Sequence, residues 1–110
     1  MENNSQGVEL SEHFPSLAAE LSEGLTKIDE RALADSIEGL RVFGRCECGQ
    51  RNCGTFYARP RNEWDGQALR QVIPAVHRLM AIDIHADDIV CVEFLDRADV
   101  VAFLDKYFGR

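Results

Sequence analysis

The sequence predicts an α+β fold with two N-terminal helices, an antiparallel sheet of four or five strands and one C-terminal helix. Apolar residues recur at helical spacing in the first forty residues, alternate at every second position in 79–85, and return to helical spacing after residue 96. Because helices and strands are grouped along the chain instead of alternating, we expect an antiparallel sheet with its helices packed on one face. A length of 110 residues suits one domain, which we place at 10–110, after a disordered segment at 1–9.

The first predicted helix spans residues 11–28. Its apolar stripe consists of Leu17, Leu21, Leu25 and Ile28. Pro15 is compatible with a first turn, where its missing N–H has no partner within the helix, and Gly24 could end the helix early. A second helix is expected to begin with Asp29 as its N-cap, because a carboxylate there can accept hydrogen bonds from unpaired amides. Gly39 suits a left-handed exit from this second helix.

Two segments with strand-forming residues flank the cysteines in the middle of the chain. They are residues 40–44 and 55–58, which are rich in β-branched and aromatic side chains. The simplest arrangement is a hairpin with residues 46–53 as its tip. Residues 59–66 contain proline, asparagine and Asp-Gly, which is typical of a loop, and Trp64 is expected to fold back from this loop onto the core.

Three further strands are predicted before the last helix. Residues 69–76 have helical spacing, but Pro74 and the strand that follows favour an edge strand, because proline cannot donate a hydrogen bond to a sheet. Residues 79–85 alternate with period two, and residues 89–95 follow after a turn at 86–88. The last two of these strands form the clearest hairpin in the chain.

The C-terminal helix is expected to begin at Asp96 and to end before Gly109. Asp96 is a suitable N-cap, and Asp99 lies near the positive end of the helix dipole. The side chains expected to face the core are Val100, Phe103, Leu104 and Tyr107.

The most specific chemical feature is a cluster of cysteines with the spacing Cys46-x-Cys48-Gly-x3-Cys53-Gly. Thiolates are soft ligands that suit zinc, and structural zinc prefers four ligands in a tetrahedron. A glycine directly after a ligand, as at Gly49 and Gly54, lets the backbone turn and direct its N–H groups at sulfur. The sequence therefore predicts a zinc site that includes Cys46, Cys48 and Cys53.

A fourth zinc ligand must come from elsewhere in the chain or from another subunit. The candidates are His77, His85, Cys91 and His13. We favour His77, because it lies at a polar boundary between two predicted strands. Cys91 lies in an apolar strand, where a cysteine is typically a small buried hydrophobe. His85 is interpreted as solvated, and His13 lies beside the N-terminal segment.

Three other interpretations of the cluster remain open. The cysteines could be reduced thiols in a tight turn, as is usual in a reducing compartment. Arg45 and Arg51 would favour thiolates, and a lowered thiol pKa would suit redox exchange by the Cys-x-Cys segment. An iron–sulfur cluster is the third interpretation, and it too would need further ligands.

Part of the chain resembles a motif of small uncharacterised bacterial proteins. The motif is carried by Gly-Arg-Cys-Glu-Cys-Gly at 44–49 and by Cys-Gly-Thr-Phe-Tyr at 53–57. Residues 89–100 are similar to the tail of those proteins in form, with a strand followed by a helix capped by aspartate. The resemblance implies a bacterial origin and carries no assigned activity.

The charge of the chain is acidic overall and unevenly distributed. The net charge is −7, but residues 41–78 carry +4, whereas residues 1–40 carry −7 and residues 79–110 carry −4. An acidic balance disfavours broad nucleic-acid binding. Weak binding through the arginine-rich hairpin remains an alternative, with Phe56 and Tyr57 placed between the arginines. These arginines are Arg41, Arg45, Arg51, Arg59 and Arg61.

Catalysis and membrane insertion are not predicted. The sequence has no Gly-rich phosphate loop, no nucleophile elbow and no His-Glu-x-x-His motif. A group of acids is interpreted as a solvated turn, namely Asp83, Asp87, Asp88 and Glu93. The first residues lack the basic start and apolar run of a signal peptide, and no stretch is long enough to span a bilayer. We therefore expect a cytoplasmic protein.

The functional expectation is a small non-catalytic binding or accessory module whose hairpin tip is stabilised by zinc. A thiol redox protein and a weak nucleic-acid binder are the alternatives. The expected partner is another protein or a second copy in a homodimer, recognised through the basic cysteine loop or an exposed sheet edge.

Overall fold

The computed structural model describes residues 6–109 and confirms the α+β fold. In chain order, the elements are β1 (Val8–Glu9), α1 (Leu10–His13), α2 (Pro15–Lys27), α3 (Arg31–Ser36), β2 (Arg41–Val42), β3 (Gly44–Arg45), β4 (Phe56–Tyr57), β5 (Arg70–Val72), β6 (Leu79–His85), β7 (Asp88–Phe94) and α4 (Ala98–Phe108). Two 3₁₀ turns, Ile37–Gly39 and Arg61–Glu63, lie between them. The strands form a five-stranded antiparallel sheet in the order β3-β4-β7-β6-β5 and a separate pair, β1-β2.

The first predicted helix is divided at Phe14 into α1 and α2. Phe14 leaves helical geometry, with φ −146° and ψ 63°, because the residue before a proline is disfavoured in the α region. Pro15 then occupies the start of α2, where no N–H is needed. Gly24 does not end this helix, which continues to Lys27. A Cβ at Gly24 would lie 2.6 Å from Cγ2 of Val76, so the glycine lets α2 pack closely on the loop before β6.

The second predicted helix starts and ends differently from the expectation. Asp29 has φ 64° and forms the turn between α2 and α3, because its short polar side chain tolerates left-handed backbone. Glu30 precedes the first helical residue and makes no capping hydrogen bond with its side chain. Gly39 lies inside the 3₁₀ turn that follows α3 and does not form a left-handed exit.

The segment predicted to be disordered, 1–9, is only partly described. Residues 1–5 lie outside the described residues, whereas Val8 and Glu9 form β1 and pair antiparallel with β2. Leu10, directly after β1, is fully buried in the core. A strand of two residues is too short to show a periodic pattern in the sequence. Strand β1 is therefore recognised only by its pairing with β2, which lies far away in the chain.

Both predicted hairpins are confirmed. Strands β3 and β4 pair around the cysteine loop, and β6 pairs with β7 across a tight turn in which Ala86 and Asp87 have positive φ. Strand β5 pairs only with β6, which confirms the predicted edge strand. This strand ends at Val72, two residues before Pro74, and is shorter than predicted.

The main core lies between the helices and one face of the five-stranded sheet. Residues of all four helices belong to it, together with Phe56, Val92 and Ile82, which are register partners across β4, β7 and β6. A smaller cluster on the other face contains Trp64 and Val90, so the tryptophan does fold back from its loop. None of the helices formed by residues 6–109 combines the length and the apolar composition that a membrane span requires.

The last helix begins two residues after the predicted cap. Asp96 has φ 61° and accepts a hydrogen bond from Nδ2 of Asn52 (2.9 Å), so it is not the N-cap. Asp99 lies in the first turn as predicted, where its carboxylate accepts two hydrogen bonds from Arg97. Gly109 ends the helix with φ 69°.

Candidate metal centre

The cysteine loop is fixed to the sheet at both ends. The backbone N–H of Cys46 donates to the carbonyl of Thr55 (3.0 Å), which extends the β3–β4 pairing by one residue. At the other end, Cys53 forms an isolated antiparallel bridge with Leu95, at the end of β7. Both ends of the loop are therefore held by main-chain pairing rather than by side chains alone.

The structure brings Cys46, Cys48 and Cys53 together, as the sequence predicts. Their Sγ atoms all lie within 4.8 Å of one another. In a tetrahedral site with Zn–S bonds of about 2.3 Å, sulfur atoms are about 3.8 Å apart, so modest side-chain rotations would bring these three into range. Cys48 is exposed, whereas the other two are half-buried, and none of the chain's four cysteines is in a disulfide. The cluster therefore opens to solvent on the side of Cys48.

The thiols of the cluster have different electrostatic environments. Burial raises the pKa of the Cys46 thiol above its ordinary value. A hydrogen bond from the backbone N–H of Gln50 lowers the pKa of the Cys48 thiol, and its contact with Cys53 lowers it further. The thiolate therefore forms more readily at the exposed Cys48 than at Cys46.

The two glycines of the motif have different roles. Gly49 has φ 81°, and a Cβ there would meet no atom within 4 Å, so this glycine turns the backbone directly after Cys48. A Cβ at Gly54 would lie 3.1 Å from Cγ1 of Val100, and the N–H of Gly54 donates to the carbonyl of Phe94 (3.0 Å). Gly54 thus permits close packing under α4. The prediction that its N–H points at sulfur is wrong.

Most arginines around the loop are already ion-paired. Arg45 donates to the carboxylate of Asp105 and to the carbonyl of Gly109 (2.9 Å). The other pairs are Arg41 with Glu9, Arg59 with Asp88, and Arg61 with Asp65. Arg51 makes no ion pair with any residue in 6–109. The basic character of the loop surface is therefore weaker than the count of arginines indicates.

His77 does not join the three thiols. In the described part of the chain, the group of mutually close donor atoms at this site contains only the three cysteines. Leu95 bridges to Cys53 on one side and donates to the carbonyl of Arg78 on the other (3.1 Å). The end of β7 therefore lies between the cysteine loop and the exposed His77. The backbones of these two segments are about 10 Å apart, which is two strand spacings. The other candidates also lie outside the group: His13, His85 and Cys91.

A second group of donor atoms, which the sequence did not predict, lies within the sheet. Asp83, Cys91 and Glu93 have donor atoms within 4.8 Å of one another. Asp83 is only 6% exposed and accepts a hydrogen bond from Nε2 of Gln71 (2.6 Å). The interpretation of Asp83 and Glu93 as part of a solvated turn is wrong, because these residues lie inside β6 and β7. The β6–β7 register, which sets Asp83 opposite Cys91, could have indicated this group.

This second group is a weaker metal candidate than the three cysteines. A hydrogen bond with Asp83 and partial burial raise the pKa of Glu93 to about 7. Burial, together with the two carboxylates, raises the pKa of Cys91, so its thiol stays protonated. A carboxyl pair that shares a proton is already satisfied without a metal ion.

The aromatic residues near the loop are occupied by contacts within the chain. The guanidinium carbon of Arg61 lies 4.9 Å from the ring centroid of Trp64 and 5.2 Å from that of Tyr57. Arg61 also donates to the hydroxyl of Tyr57 (2.9 Å). Phe56 is fully buried in the core. Bases of a nucleic acid would need exposed aromatic faces for stacking, so this arrangement disfavours the nucleic-acid alternative.

Comparison with known proteins gives no relative from which a role could be inferred. No protein-family model, no curated protein and no solved structure matches the chain. The resemblance to small bacterial proteins stays a prediction. The function is therefore inferred from the geometry and chemistry of residues 6–109.

Proposed function

We propose that this protein is a small metal-binding accessory module in which Cys46, Cys48 and Cys53 hold a zinc ion. The observation that carries this proposal is the convergence of three thiol sulfurs within 4.8 Å at the tip of the β3–β4 hairpin. Thiolates bind zinc strongly, and three of them within eight residues form the larger part of a tetrahedral site. The ion would tie the two ends of the loop to its exposed turn at Gly49.

The module is proposed to act by binding a partner and not by turnover. Arg51 is exposed on the loop and is not ion-paired within residues 6–109, so an acidic protein segment would be an electrostatically suitable partner. A second copy of the chain is the alternative partner. Free cysteines agree with a reducing compartment such as the cytoplasm.

Metal analysis of protein purified without added zinc tests the zinc site. We expect about one zinc ion per chain, because a site of this kind retains its metal through purification. Cys48→Ser and Cys53→Ser should each reduce the zinc content strongly. Cys91→Ala, which removes a buried thiol outside the cluster, should leave it unchanged. A wild-type protein with almost no metal and three reactive thiols would contradict the proposal.

A second candidate function is thiol–disulfide exchange. It is favoured by the exposure of Cys48 and by the closeness of its Sγ atom to those of two other thiols. In this reaction two protein thiols would become a disulfide while a small disulfide is reduced to two thiols. Metal-free protein incubated with glutathione disulfide should then lose two free thiols per chain. Cys48→Ser should strongly slow this loss without changing stability if redox exchange is the function, because Cys46 and Cys53 stay close together but the exposed thiol is removed.

A further inference from the structure

We propose that the zinc ion held by Cys46, Cys48 and Cys53 takes a low-molecular-weight thiol as its fourth ligand. This inference rests on the proposed function and deepens it, because it names the class of molecule that the centre binds. It concerns the coordination position that the three cysteines leave open.

The number of protein donors leaves one coordination position free. Within residues 6–109, no histidine, cysteine or carboxylate joins the three sulfurs. Zinc sites with four protein ligands are closed, whereas those with three keep a position for an exogenous ligand. Cys48 is exposed, so this position is reached from solvent.

A cavity next to the cluster can hold the body of a small ligand. It has a volume of about 340 Å³ and lies between the cysteine loop and the end of α4. Its lining includes Cys46, Gly49 and Gln50 from the loop and Phe108 and Gly109 from the helix end. This volume is at the lower end of the range of small-molecule sites.

The chemistry of the site favours sulfur over oxygen as the fourth donor. A metal ion that is already bound by three thiolates lies in a soft ligand set, which a further thiolate completes. The incoming thiol would bind as its thiolate and release one proton to solvent, with no change in oxidation state. Arg45, which is held by Asp105 and the carbonyl of Gly109, and Glu47 also line the cavity, so its two charged residues have opposite signs.

Cobalt substitution under anaerobic conditions tests this inference on the whole chain. Co(II) replaces zinc and reports its ligands through visible ligand-field bands and a near-ultraviolet thiolate-to-cobalt band. Addition of 2-mercaptoethanol should shift the visible bands to longer wavelength. It should also raise the absorbance of the near-ultraviolet band from the value for three thiolate ligands to the value for four. Ethylene glycol, which has a hydroxyl in place of the thiol, should leave both bands unchanged.

Three outcomes of this titration would overturn the inference. The first is a spectrum that shows four thiolates before the thiol is added, the second is a spectrum that does not respond to the thiol, and the third is loss of cobalt from the protein. A protein that binds no cobalt at all would instead refute the zinc site itself. The two failures are therefore distinguishable.

Paired variants test whether the thiol occupies the cavity. Gln50→Trp places a large ring at its lining and should weaken 2-mercaptoethanol binding about tenfold, without changing the stoichiometry of cobalt. Arg51→Trp adds the same ring at the neighbouring exposed residue, which does not line this cavity, and should leave thiol binding unchanged. Equal thiol affinity in both variants would contradict the proposed location.

Discussion

At the scale of single residues, the carboxyl pair of Asp83 and Glu93 makes stability depend on pH. The pKa of Glu93 is about 7 in the folded protein, against an ordinary value of 4.5, so the folded state holds this proton more tightly than the unfolded state. The resulting stabilisation is fully present below about pH 4.5 and is lost as the pH rises through about 7. Glu93 keeps this proton because its carboxyl is hydrogen-bonded to Asp83, whose carboxylate also accepts a hydrogen bond from Gln71.

Glu93→Gln should remove this dependence on pH. The glutamine amide can donate to Asp83 at any pH, as the protonated carboxyl does, so the variant should match the wild type near pH 4.5. Above about pH 8 the variant should be more stable than the wild type by about 1 to 2 kcal/mol. This is less than the free energy that corresponds to the full pKa shift, because Glu93 is partly solvated. Urea unfolding across this pH range measures the difference.

Asp88→Asn provides the control for that measurement. Asp88 is exposed at the start of β7 and pairs with Arg59 at 3.1 Å, so its removal should change stability by less than about 1 kcal/mol at any pH. A Glu93→Gln variant whose stability follows the wild type at every pH would show that the proton is not shared.

At the scale of elements, glycines determine how closely α2 and α4 approach the rest of the chain. Gly24 is buried inside α2, where a side chain would collide with Val76, and Gly54 lies against Val100 of α4. From sequence alone, Gly24 resembles a helix stop, because its intrinsic propensity for helix is low. The contact with Val76 explains why glycine is present although the helix continues.

Gly24→Ala should destabilise the protein even though alanine is the better helix former. A Cβ 2.6 Å from Cγ2 of Val76 forces α2 or the loop to move, which typically costs about 1 to 3 kcal/mol and exceeds the gain in propensity of about 1 kcal/mol. Gly39→Ala is the matched control. A Cβ there meets nothing within 4 Å, so its free energy of unfolding should be unchanged or slightly higher. Equal effects of the two substitutions would contradict the packing explanation.

At the scale of the whole molecule, Arg97 joins three elements that are far apart in sequence. Its guanidinium donates to Glu20 of α2 (3.0 and 3.1 Å), to Asp99 of α4 (2.8 and 2.9 Å) and to the carbonyl of His77 (2.8 Å). The residue is 8% exposed. The role of His77 observed in the structure is thus to offer its carbonyl to this network and not its ring to a metal.

Arg97→Met should therefore destabilise the protein by about 2 to 3 kcal/mol. Loss of one member of a fully buried ion pair typically costs about 3 to 5 kcal/mol. The cost is smaller here because Glu20 and Asp99 are partly exposed, so water can hydrate them. Arg31→Met is the control, because its pair with Asp29 is 3.7 Å long and exposed on both sides, and its loss should cost less than about 1 kcal/mol. Thermal or urea unfolding of both variants would decide whether the network contributes as described.

Local sequence patterns specify the α+β class, both hairpins, the edge strand and the three neighbouring cysteines. These features depend on side-chain periodicity and on residues close together in the chain, so local physical chemistry is enough to specify them. Two positions follow only from the folded chain: His77 lies across β7 from the cluster, and Asp83, Cys91 and Glu93 meet in the sheet. Strand order, which arises from packing between distant segments, sets the first of these positions. The second depends on the bulge beside Asp83 in the β6–β7 register, which the alternation of side chains does not record.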